Sequence, residues 1–145
     1  MTSNIERFDE LTGQLLGTLY DRFPIGTVLN RDDYHGVTAD TTDWFERFSG
    51  ANAFFCSTVH WLQRAGYIDY SMKDGGTFYD AVLTAKGLQA LKAMPASLDP
   101  KKTVGEYIAE GAQAGAVEAV KKGVAYVLST GSVLAWNALT TTAGS

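Results

Sequence analysis

The sequence NAFFCSTVHWLQRAGYIDYSMKDGGTFYDAVLTAKGLQAL, residues 52–91, decides how this chain folds. Its first part predicts a helix that ends at Gly66, because Phe55, Val59 and Leu62 recur at the spacing of one helical face. A short strand, YIDYSM, follows, and the turn KDGG leads into a second strand, TFYDAVL. The two glycines of that turn supply the positive φ that tight hairpins need. LTAKGLQAL then begins another helix, so the stretch predicts helix, hairpin and helix in succession.

The residues before this stretch predict two more helices and one strand. A first helix over residues 3–22 is predicted by apolar residues at helical spacing: Phe8, Leu11, Leu15, Leu19 and Phe23. Pro24 ends that helix, and TVLN (27–30) supplies a short strand. The polar segment RDDYHGVTADTT reads as a loop. DWFERF (43–48), capped by Thr42 or Asp43, predicts a second helix that stops at Ser49 and Gly50.

This order of elements, over residues 3–94, resembles the winged helix-turn-helix superfamily. The helix that ends at Gly66 matches the recognition helix, and the hairpin matches the wing. LTAKGLQAL is similar to a short closing pattern, LTxKG, of several winged-helix regulators. The resemblance implies an α+β fold, three helices plus a β-hairpin wing, that presents one helix to a partner. It leaves the partner open.

Composition and charge limit the classes of function. The chain has 145 residues and a net charge of −4, and 46% of its residues are hydrophobic. Residues 1–95 hold 8 Lys or Arg against 12 Asp or Glu, whereas residues 96–145 hold 4 of each. An acidic folded module disfavours indiscriminate binding to nucleic acid or anionic lipid. The single cysteine and the polar, mixed-charge beginning MTSNIERFDE favour a cytoplasmic protein without a secretory signal.

The C-terminal third predicts a linker and a long helix. Two prolines, Pro95 and Pro100, delimit a linker over residues 96–102 that follows a winged-helix domain over residues 1–95. Thr103 and Glu106 have the spacing of a capping box, so a helix is expected over residues 103–138. Residues 139–145 are expected to form a flexible tail.

Small residues recur along this C-terminal helix at four-residue steps, and Gly111, Gly115 and Gly123 are the first candidates for a helix–helix interface. Glycine inside a helix costs about 0.5–1 kcal/mol relative to alanine, so several in register favour a close helix contact. The helix would pack on its own domain or on its copy in a homodimer. Peripheral membrane contact is an alternative, because residues 123–145 carry no charge. Polar residues dilute this run too much for a transmembrane span.

No catalytic or cofactor motif stands out. Cys56 and His60 lie four residues apart on one predicted helix, but two ligands do not complete a metal site. Asp32, Asp33 and His35 form an equally incomplete group in the loop. Phosphate-binding loops of the GxxxxGK[ST] or GxGxxG type do not occur. The sequence therefore predicts a non-enzyme without cofactor or metal.

Two kinds of partner remain for the presented helix. For DNA, the candidate contacts are Ser57, His60 and Arg64 on the helix and Lys73 at the wing tip. DNA binders often make 6–10 phosphate contacts, and the few cations here stand among acids. These acids are Asp43, Glu46, Asp69, Asp74 and Asp80. A dimeric, sequence-specific DNA-binding transcriptional regulator is therefore the second hypothesis.

For a protein partner, the candidate anchors are Trp44, Phe54 and Trp61. Phe54 and Trp61 lie seven residues apart, on a flank of the helix that the core stripe does not use. Exposed aromatic side chains in a cluster are typical of protein interfaces. The leading hypothesis is thus a non-catalytic winged-helix module that acts in protein–protein interaction or assembly.

Overall fold

The computed structural model describes residues 3–34, 44–99 and 101–143, with only the backbone described at residues 44–52 and 132–143. His35, Asp43 and the last two residues of the expected tail lie outside the described residues. The fold is α+β. Its elements in chain order are α1 (Asn4–Arg22), β1 (Thr27–Asn30), a 3-10 turn (Arg31–Tyr34), α2 (Trp44–Arg64), β2 (Ile68–Asp69), β3 (Met72–Asp74), β4 (Thr77–Leu83), α3 (Ala85–Lys92), α4 (Val104–Ala114) and α5 (Val117–Ala143).

Helix α1 begins with a complete capping box. The Ser3 side chain accepts a hydrogen bond from the Glu6 amide, and the Glu6 carboxylate accepts one from the Ser3 amide. These contacts satisfy amides that have no partner inside the helix. Leu11, Leu15 and Leu19 then bury their side chains on one face, as the helical spacing predicts.

The antiparallel sheet is centred on β4. Strand β1 pairs with one edge of β4, and β2 and β3 pair with the other. The β1 register shifts between Thr27↔Ala81 and Leu29↔Phe78, so two β4 residues stand opposite Val28 alone. Asp80 in this bulge has φ 59°, a conformation that Asp tolerates better than most residues. The β3–β4 turn places Gly75 at φ 61°, as the KDGG sequence predicts.

Helix α2 is continuous from Trp44 to Arg64, so the predicted turn at Ser49 and Gly50 is wrong. A glycine lowers helix stability by only about 1 kcal/mol, which is too little to break a helix whose later turns are held by tertiary contacts. Phe55, Val59 and Leu62 supply those contacts and are fully buried. The two helices that the sequence predicts between residues 43 and 66 are therefore one helix in the described residues.

The helix expected over residues 103–138 is instead two helices. The Thr103 hydroxyl accepts a hydrogen bond from the Glu106 amide and begins α4 as predicted. Gly115 then takes φ 70°, and the Ala116 amide donates to the Gly111 carbonyl. A left-handed glycine of this kind commonly ends a helix. Helix α5 starts at Val117 and runs to Ala143, beyond the limit expected at residue 138.

The α4–α5 hairpin belongs to the same hydrophobic core as the sheet and α1. Its buried members are Val104, Ile108, Val120, Val124 and Val127, which join Leu11, Leu15, Phe55 and Phe78 in one cluster. Glycines on α1 allow this close approach. A Cβ at Gly13 would overlap the Val120 side chain, and one at Gly17 would lie 3.2 Å from the Ala109 Cα. These two glycines thus allow α1 to pack closely against the α4–α5 hairpin.

The Tyr67 side chain joins the hairpin of strands to α5. Its hydroxyl donates to the Leu128 carbonyl at 3.1 Å and approaches the Val127 carbonyl at 3.4 Å. Gly131 leaves room for this hydroxyl, since a Cβ there would overlap it. On the other side of the ring, the Lys86 ammonium lies 4.5 Å from the ring centre and donates to the Ala65 carbonyl. These contacts connect the end of α2 and the start of β2 to α5.

Candidate protein-interaction groove

An open groove of about 430 Å³ lies between the first turns of α1 and the second half of α2. Its lining residues are Asn4, Ile5, Phe8, Phe54, Ser57, Thr58 and Trp61. Two large apolar side chains on it reach solvent, Ile5 at 70% and Trp61 at 45% of their full exposure. The name "α1–α2 groove" refers to these seven residues below.

The floor of the groove is an aromatic contact between the two helices. The Phe8 and Trp61 rings meet edge to face, with centroids 5.3 Å apart and planes at 90°. This geometry is a favoured arrangement of aromatic pairs. Because Phe8 holds one side of the indole, Trp61 presents its exposed part in a fixed orientation. A rigid, half-exposed aromatic ring loses little conformational entropy when a partner covers it.

The groove follows from the way each helix uses its faces. On α2, Phe55, Val59 and Leu62 point into the core, so Phe54 and Trp61 fall on the adjacent flank. On α1, the apolar stripe continues toward the N-terminus through Phe8 and Ile5. The core cluster includes neither of those two residues, so they line a surface groove.

A cation lies over one wall of the groove. The Arg7 guanidinium carbon is 4.3 Å from the centre of the Phe54 ring, within the usual range of cation–π contacts. The same guanidinium donates to the Asn4 side-chain oxygen at 3.3 Å. Both partners line the groove, so Arg7 belongs to its rim.

The interface residues expected from the sequence separate into two groups. Phe54 and Trp61 lie in the α1–α2 groove, whereas the Trp44 side chain lies outside the described residues. Gly111 and Gly123 are buried against their own chain, next to Val120 and Ile108 respectively. Gly115 is exposed but ends α4. Of the two alternatives that the sequence leaves open, packing on their own chain is the one that Gly111 and Gly123 follow.

The four residues expected at a DNA interface are all exposed. Ser57, His60 and Arg64 lie along one side of α2, and Lys73 lies in β3. A His60 ring nitrogen and the Tyr70 hydroxyl are 3.3 Å apart. Three acidic side chains of the strands, Asp69, Asp74 and Asp80, are exposed as well. Ser57 also lines the α1–α2 groove.

The Cys56–His60 pair does not form a site. The Cys56 thiol contacts the Gly75 carbonyl at 3.5 Å, while His60 pairs with Tyr70. Burial raises the pKa of the Cys56 thiol, and the nearby Lys73 and Arg31 only partly oppose this effect. A raised pKa reduces the thiolate fraction that nucleophilic or metal chemistry requires. Across residues 3–34, 44–99 and 101–143, no group of three or more metal-binding side chains occurs.

Sequence reasoning missed the contribution of the α1 N-terminus to the groove. Helical spacing places Phe8 in the core stripe of the first helix and does not distinguish Ile5. Their positions follow from the crossing of α1 and α2, which places the first turns of α1 against the flank of α2. The only signal in the sequence is an apolar residue, Ile5, in a polar first turn.

Comparison of the chain with family models, curated proteins and solved structures finds no match. Among the helices that the structure describes, none has the length and apolar character to cross a membrane.

Proposed function

We propose that this protein is a non-catalytic module of winged-helix type that binds another protein through the α1–α2 groove. The observation that carries the proposal is the exposed, oriented Trp61 beside Ile5 on an apolar groove of about 430 Å³. Interface hot spots are enriched in Trp and lie in pockets that exclude water. Concave apolar sites of roughly 300–1,000 Å³ are also typical ligand sites.

The order of elements supports the winged-helix assignment. A helix and a strand precede α2, a hairpin follows it, and β4 lies between β1 and the β2–β3 edge. Each of these relations is expected for a winged helix. The departure is at Ser49 and Gly50, where α2 continues without a turn. Fold alone does not determine function, so the groove and not the wing carries the proposal.

The exposed surface of Trp61 and Ile5 is large enough for both side chains to contribute to binding. Aromatic side chains bury about 150–250 Å² each. At 45% exposure, covering Trp61 removes about 100 Å² from water, which corresponds to roughly 2–3 kcal/mol at 25 cal/mol per Å². Ile5, at 70% exposure, adds about 1–2 kcal/mol on the same scale. Two anchors of this size are typical of a hot spot.

DNA binding is the second candidate, because Ser57, His60, Arg64 and Lys73 are all exposed. Against it stand the exposed wing carboxylates, which would face a phosphate backbone. Fluorescence anisotropy of a mixed-sequence duplex separates the two functions. A DNA reader would bind it with a steep dependence on salt and would lose affinity on Arg64→Ala. The groove proposal expects Arg64→Ala to leave the protein as poor a DNA binder as the wild type.

A selection experiment tests the groove directly. Random peptides displayed on phage are selected on the immobilised protein, and the winners are measured against Trp61→Ala, Ile5→Ser and Ile25→Ala. Ile25 is a matched control, since it is 71% exposed and follows the opposite end of α1, roughly 25 Å away. We expect Trp61→Ala to weaken the selected peptides at least about tenfold and Ile25→Ala to have no effect. Selected peptides that ignore both groove substitutions would contradict the proposal.

A further inference from the structure

A second cavity lies on a different side of α1, where this helix packs against α4. It is an open cleft of about 290 Å³, and the described residues that line it are not those of the α1–α2 groove. Gly17, Ala109 and Ala112 carry too little side chain to fill the space between the two helices. The name "α1–α4 cleft" refers to this cavity, whose polar lining residues are Gln14, Thr18, Asp21, Tyr34 and Gln113.

The α1–α4 cleft is longer than it is wide. Gln14 and Asp21 are seven residues apart on α1, which is about 10.5 Å along the helix axis. Over that length, a volume of about 290 Å³ corresponds to a mean width of about 6 Å. Non-bonded carbon atoms approach each other to about 3.5–4.0 Å, so this width admits one extended chain but not two side by side.

A smaller cavity of about 40 Å³ continues the cleft along α1. Gln14 and Ala112 line both cavities, and Glu10 lines the smaller one. Glu10 and Asp21 are eleven residues apart, which is about three helical turns and roughly 16.5 Å, so both lie on the same side of α1. The continuous trough therefore has a carboxylate toward each end.

The two carboxylates of the trough are not neutralised by a described side chain. Neither Glu10 nor Asp21 forms an ion pair or a side-chain hydrogen bond with a described residue. None of the described residues that line the two cavities is basic. Only two basic side chains of the sequence, His35 and Arg47, lie outside the described part of the chain. The trough thus favours a ligand with positive charge at both ends.

The side chains between the two carboxylates offer uncharged hydrogen-bonding groups. The Thr18 hydroxyl donates to the Gln14 carbonyl at 2.9 Å, and the Tyr34 hydroxyl lies 3.5 Å from the Thr18 oxygen. Burial raises the pKa of Tyr34, so its hydroxyl stays protonated near neutral pH. The charges of Arg22 and Asp33 have opposite effects on that pKa. The amide oxygen of Gln14 can accept a hydrogen bond from a ligand N–H group.

From the shape of the trough and its two carboxylates we infer that it binds a linear aliphatic polyamine. One terminal ammonium group pairs with Asp21 and the other with Glu10. The methylene chain lies against Gly17 and Ala112, and an inner N–H group donates to the Gln14 amide. A monoamine pairs with only one of the two carboxylates, and an anion is repelled by both. This inference is independent of the proposed function, because the α1–α2 groove and the trough share no described lining residue.

A series of amines of increasing length tests the inference. Isothermal titration calorimetry at low ionic strength measures the binding of 1-aminobutane, putrescine, spermidine and spermine to the whole chain. The variants are Asp21→Asn, Glu10→Gln and Ala112→Leu, the last of which narrows the trough where its two cavities meet. Asp74→Asn is the matched control, because Asp74 is an exposed carboxylate of β3 that does not line the trough. Far-ultraviolet circular dichroism shows whether each variant is folded.

The expected result is an affinity that rises at least about tenfold from 1-aminobutane to spermine, because only the longer chain reaches both carboxylates. Asp21→Asn and Glu10→Gln should each weaken spermine about twofold to fivefold, and the loss should shrink as salt is added. Asp74→Asn should leave the affinity for spermine unchanged. Ala112→Leu should weaken spermine more than 1-aminobutane; if this variant does not fold, the two acid variants still decide the question.

Four outcomes would overturn the inference. Equal losses on Asp74→Asn and Asp21→Asn would mean that spermine responds to the net charge of −4 and not to the trough. Equal affinities along the amine series, or no heat from spermine at about 1 mM, would refute a two-ended cation site. A loss on Asp21→Asn without a loss on Glu10→Gln would refute the span between the two carboxylates. A loss on Trp61→Ala alone would place the amine in the α1–α2 groove instead.

Discussion

Replacing Thr12 by Val should stabilise the protein. The Thr12 side chain is completely buried in α1, and its hydroxyl has no hydrogen-bond partner among the described residues. A buried hydroxyl without a partner costs about 1–3 kcal/mol relative to one that is satisfied. Valine has nearly the same shape and the same branching at Cβ, so helix propensity changes little. We expect the free energy of unfolding to rise by about 1 kcal/mol, which corresponds to roughly 3 °C in Tm for a chain of this size.

The same helix offers a matched control with the opposite sign. The Thr18 hydroxyl donates to the Gln14 carbonyl at 2.9 Å, and the Tyr34 hydroxyl lies 3.5 Å from it. Thr18→Val removes these contacts and should lower the free energy of unfolding by about 1 kcal/mol. Urea denaturation followed by far-ultraviolet circular dichroism measures both variants. If Thr12→Val lowers the transition midpoint as Thr18→Val does, the Thr12 hydroxyl has a partner and the reasoning fails.

Three further predictions concern packing and ionisation. Gly13→Ala should lower the free energy of unfolding by about 1–2 kcal/mol, because the added methyl group overlaps the Val120 side chain; a thermal melt at or above the wild-type Tm would contradict the close approach of α1 and α5. Tyr67→Phe removes the hydrogen bond to the Leu128 carbonyl and should cost about 1 kcal/mol in urea denaturation, whereas no loss would mean that the bond is weak. Burial raises the pKa of the Cys56 thiol, so its alkylation by iodoacetamide near neutral pH should be slower than that of an unfolded peptide around Cys56. The alkylation rate of the folded protein should also keep rising to a higher pH than the rate of the peptide. Equal pH profiles would show that burial does not perturb the thiol.

The raised pKa of Cys56 also fixes the sign of its contribution to stability. The folded state holds the proton more tightly than the unfolded chain does. Its contribution is therefore fully present below the unfolded pKa and is lost as the pH rises through the folded pKa. Cys56→Ser should make the stability profile flatter on the alkaline side and leave the acidic side unchanged.

The local structure of residues 52–91 could be predicted from sequence, because its signals lie close together. The spacing of Phe55, Val59 and Leu62 specifies one helical face, and all three are buried in α2. The glycines of the KDGG turn leave the backbone free to reverse, and Gly75 takes φ 61°. Thr103 likewise caps α4 as its spacing from Glu106 predicts.

Whether the chain turns at Gly50 and at Gly115 is harder to predict, because a glycine is compatible with either a helix or a turn. Gly50 remains inside α2, whereas Gly115 ends α4. Their difference is tertiary. At Gly115 the chain must reverse so that Val120 and Val124 can pack against Gly13. Nothing in the four-residue spacing of small residues distinguishes a straight helix that packs on a partner from a hairpin that packs on its own chain. The groove was predicted only on its α2 side for a related reason, since α1 and α2 meet through residues far apart in sequence.

Helix α1 contacts a different part of the protein with each of its sides, and one of these sides lines the groove. Leu11, Leu15 and Leu19 face the core that the sheet and α2 share. Gly13 and Gly17 face the α4–α5 hairpin, whose close approach occupies that side. The first two turns contact the hairpin through the Glu6–Lys121 ion pair, and on another side they present Ile5 and Phe8 beside Trp61. The hairpin therefore covers the glycine face of α1, and the α1–α2 groove stays open among the described residues. A variant that loosens the hairpin, such as Gly13→Ala, should reduce stability while leaving peptide affinity of the folded protein unchanged, because the side chains that face Gly13 do not line the groove.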